Sequence, residues 1–236
     1  MIKNKRIIIS GIAGSIGSEL ARQLIKNNKV FGIDQNESGF FEIQQETKCF
    51  GRIGDIRDKA VIFDIFSDFK PQVIINAAAL KHVPYSQIYP EEYVMTNIIG
   101  TLNLIQEAKK WECLEKFVQI STDKVHSKSV MGATKRCAEI ITTSMGDKFI
   151  SVRFGNVLNS VGSVIPIFKK QIKDGGPVTI TSDKMTRFFM SIDDAVGLVL
   201  KTVSIAKGGE VFILKMRALK IIDLAKKAWK DSITIL

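Results

Sequence analysis

Along the chain, short runs that are apolar at consecutive positions alternate with longer stretches in which apolar residues recur every three or four positions. The series begins "RIIIS" (6–10), "IGSELARQLIKNN" (16–28) and "KVFGID" (29–34). It continues through "DKAVIFDIFSDF" (58–69), "PQVIINAAA" (71–79), "PEEYVMTNIIGTLNLIQEAKKW" (90–111), "KFVQIST" (116–122), "GATKRCAEIITTSM" (132–145) and "FISVRFG" (149–155). Strands too apolar to show an exposed face, separated by helix-length amphipathic segments, predict a doubly wound parallel sheet covered by helices on both sides. After Gly155 the pattern loosens into a Gly-, Ser- and Pro-richer stretch, 156–189, expected to hold loops, one helix and a short strand. A helix over 191–207 with acidic residues in its first turn follows, then a strand over 210–215 and a last helix over 221–230. The expected fold class is therefore α/β: a Rossmann-type domain over 1–155, and a small lobe over 156–236 interleaved with the last sheet elements.

Composition narrows the function classes. The 236 residues contain 34 Lys and Arg against 24 Asp and Glu, a net charge of +10. The basic residues are scattered, without a run of five or six or an aromatic stripe among them. The excess is therefore assigned to small polyanions such as nucleotides, and no nucleic-acid partner is expected. Cys49, Cys113 and Cys137 lie far apart without metal-ligand spacing, which fits buried, inert thiols in a reducing compartment and no metal site. No apolar run approaches a membrane span, and the N-terminus leads into a strand instead of a signal-peptide core. A soluble, cytoplasmic protein is expected.

"RIIISGIAGSIGSEL" reads as a strand, a glycine turn and a helix start, with Gly11, Gly14 and Gly17 in the spacing G-x-x-G-x-x-G. Glycines there permit a sharp turn and let a pyrophosphate lie against the amides of the helix N-terminus. Asp34 ends the second strand, where a carboxylate accepts hydrogen bonds from an adenosine ribose and repels a 2′-phosphate; no Arg or Lys occurs in the following "DQNESGFFEIQQE". NAD is thus expected in preference to NADP. "GDIRD" places Asp55 after a third strand, within reach of an adenine edge. "NAAALKHVP" ends the fourth strand with small residues that leave room for a cofactor. "STDK" follows the fifth strand, so Thr122, Asp123 and Lys124 protrude where ligands bind in open α/β sheets. A polar turn capping a helix is the simpler alternative for these residues.

With the glycine turn, "AAALKHVP", "TNIIGTLNLI", "ISTDK", "MGATK", "RFGNVLNSVGSVIPIFKKQI" and "MTRFFMSIDDAV" together, the chain resembles the extended short-chain dehydrogenases of polysaccharide biosynthesis, specifically the UDP-N-acetylglucosamine 4,6-dehydratases of capsule, O-antigen and protein-glycosylation pathways. The similarity runs from about Lys5 to about Lys227. Short-chain dehydrogenases usually carry a Tyr four residues before the active-site Lys; here Met131 precedes Lys135. The retaining branch of the resembled group also has Met there, as do some members that epimerise C5, so the stereochemistry does not follow from it.

The resemblance implies a redox-neutral dehydration in which hydride leaves C4 of the hexose for NAD, the C5 proton is removed, water leaves from C6 and the hydride returns to C6. Thr122 is expected to hydrogen-bond the C4 oxygen, Asp123 to protonate the departing hydroxyl and Lys124 to act as C5 base. Met131 packs the pocket, and Lys135 clamps the cofactor ribose. The implied cofactor contacts are Gly11, Gly14, Ser15, Ile16, Gly17, Asp34, Asp55, Ile56, Ala77, Ala78, Ala79, Lys81, Asn97 and Lys135. The implied substrate contacts are Lys81, His82, Thr122, Asn156 on the diphosphate, Ser163, Val164 and Pro166 at the uracil, and Arg187 on a phosphate oxygen. His126 is expected on a surface loop. The partners are a UDP-sugar and further copies of the chain. Two departures stand out: Gln87 replaces an acidic residue, and the chain stops at "AWKDSITIL" where relatives continue, so the lobe is expected to be shortened. A 4-epimerase and a weakly active or inactive nucleotide-binding copy are the alternative readings.

Overall fold

The computed structural model describes residues 2–160, 162–228 and 233–235. Seven parallel strands form the main sheet: β1 (Arg6–Ser10), β2 (Lys29–Asp34), β3 (Phe50–Ile53), β4 (Val73–Asn76), β5 (Lys116–Thr122), β6 (Phe149–Phe154) and β10 (Val211–Ile213), in the spatial order β10-β6-β5-β4-β1-β2-β3. The order reverses between β1 and β4, and such a switch point opens a crevice at the carboxyl ends of the strands. Sheet and helices thus have the expected Rossmann-type arrangement.

The apolar runs are explained by burial on both faces. Ile7 and Ile9 pack with Leu20 and Leu24 of α1 (Ser15–Leu24) and with Val196 and Val199 of α9 (Ile192–Ile205). Ile8, between them in sequence, faces the opposite layer with Ile62 and Phe66 of α3 (Lys59–Phe69) and Leu104 of α6 (Thr101–Ala108). Each such side chain contributes about 1.5–3 kcal/mol by leaving water. Under the strand ends, buried Asn76 accepts from the Ser10 hydroxyl (2.6 Å) and donates to Gln119 (2.8 Å) and Thr101 (3.0 Å), tying β1, β4 and β5 beneath the crevice.

The helix expected over 90–111 is broken. A short α5 (Pro90–Tyr93) leads into a π-helical segment, Val94–Gly100, before α6. The widened turns bury Asn97, whose side chain accepts from the Leu80 amide and donates to the Leu80 carbonyl and Thr134. Side-chain insertion of this kind is a recognised cause of local unwinding. A helix without a sequence-level expectation, α2 (Glu37–Thr47), starts where Asn36 Oδ1 accepts from the Gly39 amide.

The later lobe holds more strand than its composition suggested. β7 (Asn156–Val157), β9 (Thr186–Met190) and β11 (Arg217–Lys220) form one small sheet, and β8 (Val178–Ile180) pairs with β12 (Ile233–Ile235). They enclose a core of Phe168 from α8 (Val164–Lys173), Val178, Ile180, Phe189, and Ile221 and Ala225 from α10 (Ile221–Ala228). α9 opens with a capping box, in which the Ser191 hydroxyl accepts from the Asp194 amide and the Asp194 carboxylate accepts from the Ser191 amide. Trp229 and Lys230, at the end of the expected last helix, lie outside the described residues. The three cysteines are free but not uniformly buried: Cys49 is enclosed, Cys113 half-buried and Cys137 exposed on the outward face of α7 (Val130–Thr143).

Candidate active site at the strand-end crevice

The glycine turn after β1 is shaped by close approach. Gly11 has φ 74°, and a Cβ on it would lie 2.6 Å from the Ala78 nitrogen; a Cβ on Gly17 would lie 2.1 Å from the Gly11 carbonyl oxygen. Only glycine fits both positions. The turn delivers the amide end of α1 into the crevice, with no side chain capping it, and such an end favours an anion. Gly14, Ser15, Ile16 and Gly17 line the cavity there.

One arm of the crevice, about 330 Å³, runs past Asp34, Asp55, Ile56, Ala77, Ala78 and Ala79. Asp34 Oδ2 accepts from the Ala13 amide and Oδ1 from the Asn36 amide, both at 2.9 Å. These bonds fix the carboxylate against the glycine turn and leave it lone pairs for hydroxyl donors. Asp55 takes the Arg57 amide, Nε and Nη2 on its two oxygens. Burial acts to raise the Asp55 carboxyl, and the Arg57 hydrogen bonds outweigh it and hold it below the ordinary carboxylate value. Asn97 does not line this arm: its amide is spent on Leu80 and Thr134, so it shapes the loop carrying Lys81 and His82.

The other arm, about 450 Å³, holds Lys81, His82, Thr122, Lys124, Met131, Lys135, Asn156, Ser163 and Val164. Crowding of its ammonium end lowers the Lys81 pKa although the residue is exposed overall, and burial together with Lys81 lowers that of His82. Lys135 is 6% exposed and donates to the Ile120 carbonyl at 2.5 Å. Burial pushes its pKa down to about 8 against an upward pull from Glu139.

β5 ends in the Thr122–Asp123–Lys124 group. Thr122 Oγ1 donates to Asp123 Oδ1 at 3.1 Å and accepts from the Lys124 amide, opening a 3-10 turn over Asp123–His126. The capping role and the chemical one therefore coexist in one residue. Lys124 Nζ donates to Asp123 Oδ1 (3.0 Å) and Asn156 Oδ1 (2.6 Å). This continuous chain of hydroxyl, carboxyl, lysine amine and amide groups can relay or store a proton at each of its first three members. Asp123, expected in the main cavity, does not line it; its side chain borders a second cavity, about 690 Å³, together with Lys124, Gln87, Lys128 and Arg187.

Two expected substrate contacts sit elsewhere. Arg187, on β9, lines that second cavity and not the main one. Pro166 falls on α8 behind the cavity wall, and Ile165 takes the lining position. His126 is exposed and touches Arg153 Nη1 at 3.4 Å. Phe154, Val157, Leu158, Ser160 and Phe189 also line the main cavity and were not anticipated. The rule that strand ends carry the site, applied to β6 as well as β5, would have found Phe154. Among the described residues no group of three or more His, Cys, Asp or Glu side chains is placed to hold a metal, and no helix is long and apolar enough to cross a membrane.

Comparison with known proteins agrees with this geometry. The model of a family described as "Polysaccharide biosynthesis protein" matches residues 7–234. The capsular polysaccharide biosynthesis protein CapD of Staphylococcus aureus is 46% identical over 95% of this chain, which spans only 40% of that relative's length. An inverting UDP-N-acetylglucosamine 4,6-dehydratase of Campylobacter jejuni is 35% identical over 95% of the chain and 71% of its own. A UDP-glucose 4-epimerase of Rickettsia canadensis is likewise 35% identical, over 96% of the chain and 70% of its own. The crystal structure of Pen from Bacillus thuringiensis superposes with a TM-score of 0.93 at 35% identity, covering 99% of this chain and 77% of that one. With a family match over nearly its whole length and a Rossmann crevice of the kind just described, the chain belongs to the polysaccharide biosynthesis protein family and has the extended short-chain dehydrogenase fold.

Proposed function

We propose that the chain is a UDP-N-acetylglucosamine 4,6-dehydratase that uses NAD. The observation that carries this reading is the proton chain at the end of β5, set beside a cavity in which Met131 replaces the usual phenol. The cofactor fits what is present: the glycine cradle has no room for a Cβ, and Asp34 offers a carboxylate to a ribose and would repel a 2′-phosphate. Gly11 to Gly17 would hold the pyrophosphate, Asp34 and Asp55 the adenosine end, and Lys135 the nicotinamide ribose. Bound NAD supplies a hydride acceptor for C4 and a hydride donor for C6.

The chain's own residues move the protons. Thr122 hydrogen-bonds the C4 oxygen and takes the C4 hydroxyl proton as its own passes to Asp123, whose Oδ1 already accepts from the Thr122 hydroxyl. The ketone at C4 acidifies C5, and Lys124 in its neutral form removes that proton. Asp123 returns the proton it received to the C6 hydroxyl, which leaves as water. Lys124 then gives its proton back to C5. The sum is loss of one water, with every protein group returned to its starting form. Asn156 and the Ser163–Val164 start of α8 would bind the diphosphate and uracil, and Arg187 with Lys128 a phosphate oxygen from the second cavity. Pro166 contributes only through the placement of α8.

A 4-epimerase is the second reading, favoured by the equal identity to a relative of that name and disfavoured by Met131, whose thioether cannot exchange a proton with O4. Assembly into a homo-oligomer belongs to the same proposal, supported by the exposed Tyr85, Ile88, Tyr89, Val94 and Met95, which lie close in sequence on a short helix (Val83–Ile88), the link after it and the start of the π-helical segment, as does a reducing, cytoplasmic setting for the free thiols.

Purified protein incubated with UDP-N-acetylglucosamine in deuterated water and followed by NMR tests the reading. A 4-keto-6-deoxy product with deuterium at C5 is expected from the native chain, and neither product nor C5 exchange from Lys124→Ala. Undiminished exchange in Lys124→Ala ends the assignment of the base, and C4 inversion without dehydration supports the epimerase.

A further inference from the structure

Helix α7 presents Met131, Lys135 and Glu139 at successive turns of one face. The first two line the main cavity. Glu139 lies one turn below it, with a side chain that is 0% exposed, among the most enclosed charges in the protein. Its carboxylate accepts from Arg153 Nε at 2.8 Å and Nη2 at 2.6 Å, a two-pronged arrangement, and from Arg136 Nη1. Arg153 belongs to β6 and stands directly opposite Ser121 in the β5–β6 register, one residue before the Thr122–Asp123–Lys124 group. It also reaches His126 on the 3-10 turn. One carboxylate therefore pins the helix bearing Lys135 to the strand beside the proton chain. A buried pair of this kind costs several kcal/mol in lost hydration before its attraction is counted, and apolar residues of the same volume would pack there as well. Stability alone is a weak reason for its presence.

We propose that Glu139 is a positioning residue for Lys135: gripped by Arg153 and Arg136, its carboxylate fixes the height of α7 on β6 and supplies the negative charge that keeps the buried Lys135 ammonium charged beneath an anionic dinucleotide. The charged groups around Lys135 make the arithmetic one-sided. Lys81, His82 and Lys124 share its cavity, and Arg136 and Arg153 lie below. Of the carboxylates on the elements packed against α7, Glu92 is engaged with Arg57, Glu107 with Lys110 and Asp123 with Lys124, and Glu91 is exposed at the start of α5. Glu139, one turn along α7 from Lys135 and itself held by Arg153 and Arg136, is the carboxylate whose charge bears on that lysine, and its upward pull opposes the effect of burial. Burial acts most strongly on the Glu139 carboxyl and raises it, but Arg153, Ser121 and Arg136 together outweigh burial, so it stays below the ordinary value and ionised throughout the neutral range.

The inference rests on the cofactor reading for its purpose but not for its test. In protein labelled with carbon-13 at the lysine ε position, the Lys135 signal, identified by its loss in Lys135→Met, is followed with pH in the free chain. NADH affinity is measured by fluorescence across the same range. In the native chain the Lys135 midpoint falls near the depressed value and NADH binding weakens through it. Glu139→Gln keeps the shape and removes the charge; its midpoint moves to lower pH by on the order of one unit, and NADH binding weakens at correspondingly lower pH. Arg136→Gln, at a site whose side chain is 41% exposed and so less disruptive, removes a positive charge and moves the midpoint the opposite way. Glu139→Asp restores the native midpoint more nearly than Gln does. A midpoint that stays put in both Glu139→Gln and Arg136→Gln overturns the proposal. Opposite shifts without NADH binding in any variant leave the Glu139–Lys135 coupling standing and refute the cofactor reading instead.

Discussion

Replacing Lys135 by methionine should make the protein more stable and less able to bind its cofactor. Lys135 is all but enclosed, and burial holds its pKa at about 8 instead of the ordinary 10.5. That difference corresponds to about 3 kcal/mol of unfavourable charge burial at pH 7. The one listener to its ammonium group, the Ile120 carbonyl, also accepts from Gln119 Nε2 at 3.1 Å, so removing the lysine does not leave that oxygen without a donor. Methionine has a flexible stem of similar length and fills irregular space. Part of the gain is lost to imperfect packing, so Lys135→Met is expected to be about 1–3 kcal/mol more stable than the native chain at pH 7. The pH dependence is the sharper signature. Below about 8 the lysine is charged in both the folded and unfolded chains and the full penalty applies. Between about 8 and 10.5 the unfolded chain holds the proton and the folded chain has released it, so native stability rises with pH relative to the variant, and the advantage of methionine fades. Urea unfolding at pH 7, 8.5 and 10 measures this, with NADH titration of the same samples. A variant less stable than native at pH 7, or a stability difference that is flat from pH 7 to 10, would refute the reasoning.

The remaining predictions bear on cradle, ribose site and core. Gly17→Ala brings a methyl group to within 2.1 Å of the Gly11 carbonyl oxygen, a backbone atom that cannot swing aside; NADH affinity should fall by at least about tenfold, and unchanged titration curves would mean the turn is not a cofactor cradle. Asp34→Ser removes the charge facing a ribose 2′ position while keeping a short polar group; the preference for NAD over NADP, measured by calorimetry, should narrow by about tenfold, and an unaltered ratio counts against Asp34 as discriminator. Phe66→Ala empties a site that is 0% exposed beneath Ile8 and Ile62 and should cost about 3–5 kcal/mol in urea unfolding; a cost under about 1 kcal/mol would mean that this layer collapses around the gap.

Much of the fold was legible because burial on two faces writes itself into sequence: Ile7, Ile8 and Ile9 can all be apolar only if both sides of β1 are covered. The glycine turn was legible for a steric reason, and the placement of Thr122 and Lys124 because strand ends in such sheets face the crevice, whereas Asp123 turns toward the neighbouring cavity. What escaped depended on tertiary partners. Asn97 reads as an ordinary polar residue on a long helix, and only its bonds to Leu80 and Thr134 reveal why the helix widens there. Arg153 sits in "FISVRF" as an interruption of an apolar strand, and Glu139 in "RCAEII" as one more helix-surface charge; that each is the other's partner depends on a strand and helix meeting across thirteen intervening residues. Arg187 was placed by type, as a cation for a phosphate, and the pairing of β9 with β11 sends it to the neighbouring cavity. Cys137 shows the limit of compositional reasoning, since the face of α7 and not the residue type decides its exposure.

The route of the polypeptide between its two parts has a mechanical consequence. Strand β6 leads out to β7, α9 and β10 come back to complete the large sheet, and β11 leaves again. The smaller part is thus sewn on by three separate passages instead of hanging from one hinge, so any closing movement has to flex all three together and is confined to a small tilt. A fragment severed after Gly155 would forfeit β10 and α9, leaving β6 with a bare hydrogen-bonding edge and the isoleucines of β1 without their roof, and such a fragment should precipitate instead of folding on its own.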